Sequence, residues 1–446
     1  MAYLPHTKEQ EKAMLATIGV SSSEELFRDI PPELRLARPL ALSPGLSEKT
    51  AWEQIGALAE KNRHTGRLIS FLGAGAYEHY QPKAVKHILA RSEFYTAYTP
   101  YQPEISQGTL QAVFEYQTMI CELTGMDAAN ASLYDGATAL AEAALMAAEA
   151  TRRKVILVSP LLHPEYRQTL ETYLHGRGIR IAEIPWEKGV TQPAEAEKLL
   201  NHEVAGVLLQ NPNFLGSIEE LAPFAQAAHK AGALLVVSVD PVSLGLLADP
   251  GQCGADIVVG EGQSMGLPLS LGGPYLGFMG VKEKYLRRMP GRIVGKTTDR
   301  LGREGFVLTL QAREQHIRRE KASSNICSNE ALCALSATVY LALLGPQGLR
   351  EVGNQCLQKG HYAKKCLSTL PGVTVPFGCP SFTEFVVKTQ EAPVLLNQRL
   401  LSGGILGGLD LGRFYPELKN HILLCVTEMR SKEEIDQLVR IWGEKA

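Results

Sequence analysis

The sequence offers no stretch of 18 uninterrupted apolar residues, so no membrane-spanning helix is read from it. It has no CxxC pair, and its eight cysteines are scattered through apolar segments of a 446-residue chain, too sparse for a disulfide scaffold. They read as buried free thiols of a reducing compartment. The first residues lack the charged start and apolar run of a secretory signal, and the Arg/Ser bias of a transit peptide. A charge excess is missing too. The 45 basic and 47 acidic residues leave a net of −2, which excludes a globally basic nucleic-acid binder. No cluster of metal-ligating residues stands out. The absence that matters most is narrower, for no lysine lies between Lys230 and Lys282. The expectation is a cytoplasmic protein with no membrane span, no metal and no nucleic-acid partner.

What is present suffices for a large core, with 45% hydrophobic residues and a length suggesting two or three domains. The first 65 residues read as short helices: Thr7 and Gln10 have capping-box spacing, and Pro31-Pro32 ends the helix opened by SSSEELF. The stretch 66–328 reads as a large α/β domain. Short apolar runs (VILVSP, RIAEIP, VAGVLLQNPN, LLVVSVD, ADIVVGEG) alternate with helical ones at Pro164–His175, Ala194–His202 and Ile218–Ala231. Such alternation predicts a doubly wound, mostly parallel sheet covered on both faces. Residues 329–446 read as a small α+β domain, with a long helix, strands at VTVPF, TEFVVKT and HILLCVT, and a last helix capped by Ser431.

Several positions are candidates for chemistry. The turn YDGATALAEA sets Gly136, Ala137 and Thr138 at a helix start, where free N–H groups attract an anion, although tight helix–sheet packing explains the same residues. Asp240 ends a buried strand at the edge where parallel sheets place ligands, or caps the turn before Pro241. Between Tyr95 and Gly108 a Pro- and Tyr-rich segment carries Tyr98, Tyr101, Gln102 and Ser106. Pro100 and Pro103 bar regular helix there, and long irregular segments tend to carry function. Residues 282–321 hold twelve basic and five acidic side chains, net +7, leaving −9 for the rest. This is a solvated face or a docking patch, with Arg313, His316, Arg318 and Arg319 as its candidates. Glu78-His79 and Arg430 are weaker ones. Arg430 could hold a carboxylate.

The order of an anion loop, a strand ending in QNPN, a strand ending in Asp and then GADIVVGEGQ is that of fold-type I pyridoxal-phosphate enzymes, with a smaller C-terminal domain. At that point the resemblance becomes specific. The segments YTPYQPEISQGTLQAVFEYQTMICELTGMDAANASLYDGATALAEA and PGRIVGKTTD…QAREQHIRREKASSNIC resemble glycine decarboxylase, the P-protein of the glycine cleavage system. The opening YLPHT and the length are similar to the first (alpha) subunit of that family's two-chain form. The resemblance implies that the sister subunit bears the cofactor lysine, and that Ser264 stands in its place here. It implies an enzyme active only as a complex, with two copies of each subunit. Glycine would be decarboxylated on pyridoxal phosphate held covalently by the sister chain, and the aminomethyl group passed to the lipoyl arm of the H-protein. Two other readings stay open: a self-sufficient pyridoxal-phosphate enzyme using Lys296, and a non-enzymatic scaffold.

Overall fold

The computed structural model describes residues 5–444 apart from 37, 99–100 and 323, so the reading of Pro100 lies outside the described residues. They fall into two units, Met1–Arg63 and His64–Ala446. In the first, helix α1 (Lys8–Ile18) opens with a capping box in which the Thr7 hydroxyl accepts from Gln10 N and Gln10 Oε1 accepts from Thr7 N. Ser23–Phe27 forms a short 3₁₀ turn, and helix α2 (Glu48–Ala59) is capped by Ser47. Neither α1 nor α2 has a buried residue, so the two hold no core of their own.

The second unit is built on a seven-stranded sheet. Its strands, in chain order, are β1 (Ala128–Ala129), β2 (Val155–Val158), β3 (Arg180–Glu183), β4 (Val204–Asn211), β5 (Leu234–Val239), β6 (Ile257–Glu261) and β7 (Gly277–Val281). They are ordered β1-β7-β6-β5-β4-β2-β3 across the sheet. Strands β3, β2, β4, β5 and β6 run parallel, and β7 pairs antiparallel with both β6 and β1. Every residue of β2 and β5 is buried. Both faces are covered, as the unbroken apolar runs require. On one face Leu157, Val207, Leu235 and Val258 pack with Tyr116 and Tyr340; on the other Ile156, Leu208, Val236 and Val259 pack with Leu140, Ala144 and Ala147. Each fully buried Leu or Val side chain contributes about 1.5–3 kcal/mol.

Helix α3 (Gln107–Thr124) stops at Gly125, and α4 (Gly136–Thr151) is the Ala-rich helix, lying against the sheet on its small side chains. Helix α5 (Pro164–His175) follows β2. A hairpin of β8 (Val294–Thr298) and β9 (Glu304–Leu308) lies inside the basic stretch and was not expected from it. The long helix α6 (Ala331–Leu367) is apolar enough to cross a membrane by composition alone. Here it turns sharply at Gly345-Pro346 and buries Ala334, Ala337 and Tyr340 in the large-sheet core and Ala363 and Leu367 in the small-sheet core. The smaller sheet joins β10 (Glu384–Lys388), β11 (Leu409–Asp410) and β12 (His421–Cys425), with α7 (Lys432–Gly443) after it. VTVPF is not a strand. Only Thr374 bridges to Lys388, because Pro376 lacks the N–H a ladder needs. The cysteines carry no disulfide, but against the reading that they are buried only Cys333, Cys356 and Cys425 are so; Cys121, Cys253, Cys366 and Cys379 are half-buried and Cys327 is exposed.

Candidate functional site

The carboxyl ends of β2, β4, β5 and β6 meet the loop 71–80 at a cavity of about 30 Å3 lined by Gly75, Tyr77, His163, Tyr166, Asp240 and Glu261. It admits about two waters. At the helix start that sequence reading offered to an anion, the N–H groups of Gly136 and Thr138 are already taken. Asp135 accepts from Thr138 N at 2.7 Å in a capping box, and Gly136 N donates to Glu261 Oε2 at 3.0 Å. Glu261 Oε1 accepts from Gln263 N and Leu276 N at 3.0 and 2.8 Å. A protein carboxylate therefore occupies the spot where the α4 dipole and its free N–H groups would hold a phosphate. Glycine at 136 is explained by the same contact, since a Cβ there would lie 3.0 Å from Glu261 Cβ and 2.6 Å from the Tyr166 hydroxyl.

Asp240 does both things expected of it. Its Oδ1 caps Val242 N at 3.0 Å, and its carboxyl faces the cavity. Burial raises its pKa, and the neighbouring His79 opposes the rise. Ser264 is buried beside it, near enough to favour the charged carboxylate but with no hydrogen bond of standard geometry to its Oγ.

The segment Gly73–Tyr80 fills the remaining space. His163 Nε2 bonds Ala74 O at 2.9 Å, its ring stacks on Tyr166 at 4.7 Å, and a Cβ at Gly75 (φ +100°) would meet it at 2.7 Å. Gln263 clasps the backbone of Tyr77 from both sides, at 2.8 and 3.0 Å. Glu384 accepts from Ala74 N at 2.6 Å and from the Tyr77 hydroxyl at 2.9 Å. Arg430, read as a carboxylate holder, holds one from its own chain, for its Nη2 lies 2.9 Å from Glu78 Oε2. His79 Nδ1 sits 2.7 Å from Glu428 Oε2. With Cys356 these two form a group of metal-ligand type. The 2.7 Å spacing is that of a hydrogen bond, and burial pushes the Cys356 thiol well up, away from the thiolate a metal takes.

Burial raises both Glu261 and Glu384 to about 7 from the ordinary 4.5. A carboxyl whose pKa is raised by folding supplies stability that is full below about 4.5 and is lost as pH climbs through 7. For a shift of that size the loss is of order 3 kcal/mol per group. Glu384→Gln can keep both hydrogen bonds, because the Tyr77 hydroxyl can accept where it now donates. The expected result is a native melting temperature that falls from pH 5 to pH 8, and a flatter profile in Glu384→Gln that lies above native at pH 8. Glu261→Gln is different, since one amide oxygen cannot serve three N–H donors and an unpaired donor costs about 1–3 kcal/mol. Parallel melting curves for native and Glu384→Gln would contradict this account.

The other candidates lie apart from this cavity. Tyr98 is 89% exposed, Tyr101 stacks under the Arg292 guanidinium at 4.8 Å, Gln102 O accepts from Ser106 N, and Ser106 precedes α3. Arg313 is half-buried and donates to the carbonyls of Met289 and Gly291. His316 lies 3.2 Å from Arg292, which is ion-paired with the buried Glu314. Arg318 and Arg319 are exposed and unpaired among the described residues. Sequence reading missed Glu261, Glu384, Gln263 and His163. The one available signal was an acidic residue inside an otherwise apolar strand end, IVVGE.

A model of the glycine cleavage system P-protein family matches residues 1–442. The chain belongs to that family. A probable glycine dehydrogenase (decarboxylating) subunit 1 of Desulforamulus reducens is 62% identical over 443 residues, 99% of each chain. A crystal structure of glycine decarboxylase (P-protein) of the glycine cleavage system, in inhibitor-bound form, is 47% identical and superposes with a TM-score of 0.91 over 99% of both chains. A sphingosine-1-phosphate lyase of Burkholderia pseudomallei shares the fold, with TM-score 0.66 at 12% identity over 92% of this chain and 93% of that one. This P-protein subunit, of the subunit 1 type, thus has the fold-type I pyridoxal-phosphate architecture and is part of an oxidoreductase whose name implies a sister subunit.

Pyridoxal phosphate binds through a lysine amine, an anion cup, a carboxylate near its ring nitrogen and enough space. Of these only the carboxylate, Asp240, is available here. Ser264 offers no amine, Glu261 fills the cup, and the space admits waters but no ring. The cofactor does not fit this P-protein chain.

Proposed function

We propose that this chain is the lysine-less half of glycine dehydrogenase (decarboxylating), inactive alone and required in complex with a sister subunit. The sister would hold pyridoxal phosphate covalently, decarboxylate glycine on it, and deliver the aminomethyl group to the lipoyl arm of the H-protein. In this reading the assembly holds two copies of each subunit and works in the cytoplasm. The observation that carries it is the Glu261 carboxylate seated on the N-terminus of α4, with a serine where the amine would stand.

This chain's contribution would come from its surface. The segment around Tyr98, Tyr101, Gln102 and Ser106 is the candidate wall of the shared cleft. Tyr98 is free to reach outward, and Gln107 ties the segment's base to the hairpin through Pro103 O and Phe306 O. Arg318 and Arg319 are the docking candidates left for the sister or the carrier, because Arg313 and His316 are engaged within the chain. The self-sufficient reading finds no support at Lys296, which pairs with Glu304 at 2.5 Å on the exposed hairpin and lies outside the cavity lining. Expressing the chain with and without its sister tests the proposal. The chain alone is expected to be colourless with pyridoxal phosphate and without glycine-dependent CO2 exchange, and the pair to be coloured and active. Activity in the single chain would overturn it, and so would full activity of the sister alone.

A further inference from the structure

A second concavity lies at the opposite edge of the sheet, where α4 ends and β2 and β3 begin. It is a cleft of about 620 Å3, within the range of small-molecule sites. Its floor is apolar (Leu145, Ala148, Ile179), and its rim carries eight basic side chains against Glu149 and Glu320. Two of the eight have structural employment. Arg153 binds the carbonyls of Val204 and Ala231, and Arg313 those of Met289 and Gly291. Glu149 is taken up by Arg288 at 3.5 Å. The remaining six, Arg152, Lys154, Arg177, Arg287, Arg318 and Lys321, are exposed and make no ion pair or side-chain hydrogen bond among the described residues.

Some neighbouring surface cations are matched, as Arg167 is with Glu183 and Arg180 with Glu203. Others elsewhere, such as Lys83 and Arg350, stand alone among the described residues. What sets the cleft apart is that six gather around one hollow. Glu320 on the rim and Glu142, which Arg177 influences, offset part of this charge. The six cations still outnumber the acids there, and a multivalent anion relieves their mutual repulsion. Four of the six are arginines, whose planar fork suits the paired oxygens of phosphate. Arg152 is held at φ 57°, a left-handed position that favours glycine, with its backbone N–H closing α4 on Ala148 O. This is the usual left-handed termination of a helix, and it sets the Arg152 side chain at the rim. The α4 carboxyl end alone calls for one cation, not six.

We propose that this cleft is an oligophosphate site, separate from the cavity at the carboxyl ends of the strands. Its ligand is either a free phosphate chain or a nucleoside triphosphate whose uncharged part covers the Leu145–Ile179 floor. The site goes beyond the decarboxylase reading and does not depend on it.

The test uses the full chain in complex with its sister, titrated calorimetrically with sodium triphosphate and separately with ATP, and with sulfate at matched ionic strength as control. Stoichiometric binding of triphosphate or ATP is expected, with sulfate silent and the affinity falling when salt is raised from 50 to 200 mM. Arg152→Glu/Arg177→Glu is expected to weaken it by at least about tenfold, which is at least about 1.4 kcal/mol. Lys154→Glu/Arg287→Glu serves if the first pair fails to fold. Tighter ATP than triphosphate identifies a nucleotide site, and equal affinities a site for the phosphate chain alone. Equal binding by sulfate, no binding, an unchanged affinity in the reversed variants, or binding that the isolated chain shows and the complex loses, would overturn the site. Glycine-dependent CO2 exchange, measured on the same variants, stays at the native level, so a failure of the decarboxylase reading is seen separately.

Discussion

Arg430→Met is expected to lower the stability of the chain by about 3 kcal/mol, the lower end of what breaking a buried ion pair costs. The guanidinium is 5% exposed at the turn between β12 and α7. It meets Glu78 at 2.9 Å and Glu434 at 3.9 Å. Burial already raises the Glu78 pKa and Arg430 opposes the rise, so removing the arginine leaves a carboxyl held where its charge is unwelcome. The same neighbourhood fastens the loop a second time, through Thr427 Oγ1 donating to Glu78 O at 2.7 Å. Glu78→Gln is expected to cost less, about 1–2 kcal/mol, because the amide oxygen still accepts from Nη2. Urea titrations of native, single and double variants form a cycle. A coupling of about 1–3 kcal/mol is expected if the two residues act as one clamp. Strict additivity would mean that Arg430 acts through Glu434 instead.

That clamp was only half legible beforehand. Glu78, His79 and Arg430 stand out in the sequence as charged residues next to a glycine turn or a strand end, yet nothing in their spacing says that they meet, 352 residues apart. Local signals did better. The capping boxes at Thr7 and Ser431 and the stop at Gly125 are set by residues within one turn of each other, and the structure shows them where the spacing placed them. The sheet was legible for a related reason: a strand buried on both faces must be apolar throughout, and LLVVSV and VILV are nearly so. The hairpin at 294–308 was hidden because its exposed strand residues, such as Lys296, Thr297 and Thr298, read as part of a charge run. VTVPF misled in the other sense, through β-branched residues interrupted by a proline.

The filling of the cavity was illegible for a deeper reason. An empty ligand site and a self-filled one need the same glycine, the same helix start and the same aspartate, and differ only in what lies against them. Glu261 reaches Gly136 across 125 residues and Glu384 reaches Ala74 across 310. The missing lysine was visible in the sequence; the carboxylate that took over the phosphate's position was not.

Ser264→Lys is therefore expected not to restore cofactor binding. The longer side chain enters a fully packed position, and overpacking costs about 1–3 kcal/mol. Its ammonium would find Asp240 as a counter-charge, yet desolvating both ions takes back much of that gain. The Glu261 carboxylate would still hold Gly136 N, Leu276 N and Gln263 N, and Asp135 would still hold Thr138 N, so the cup lacks most of the donors a phosphate needs. Mixed with pyridoxal phosphate, the single variant should stay colourless and give no borohydride-stable adduct at position 264. Glu261→Ser in the same chain shortens the plug and frees the α4 N-terminus, so Ser264→Lys/Glu261→Ser is expected to bind the cofactor at least about tenfold more tightly than the single variant, or at least about 1.4 kcal/mol. Absorbance titration of the two side by side reads that ratio. A single variant that colours as readily as the double one would mean that the amine alone had been missing and that Glu261 blocks nothing.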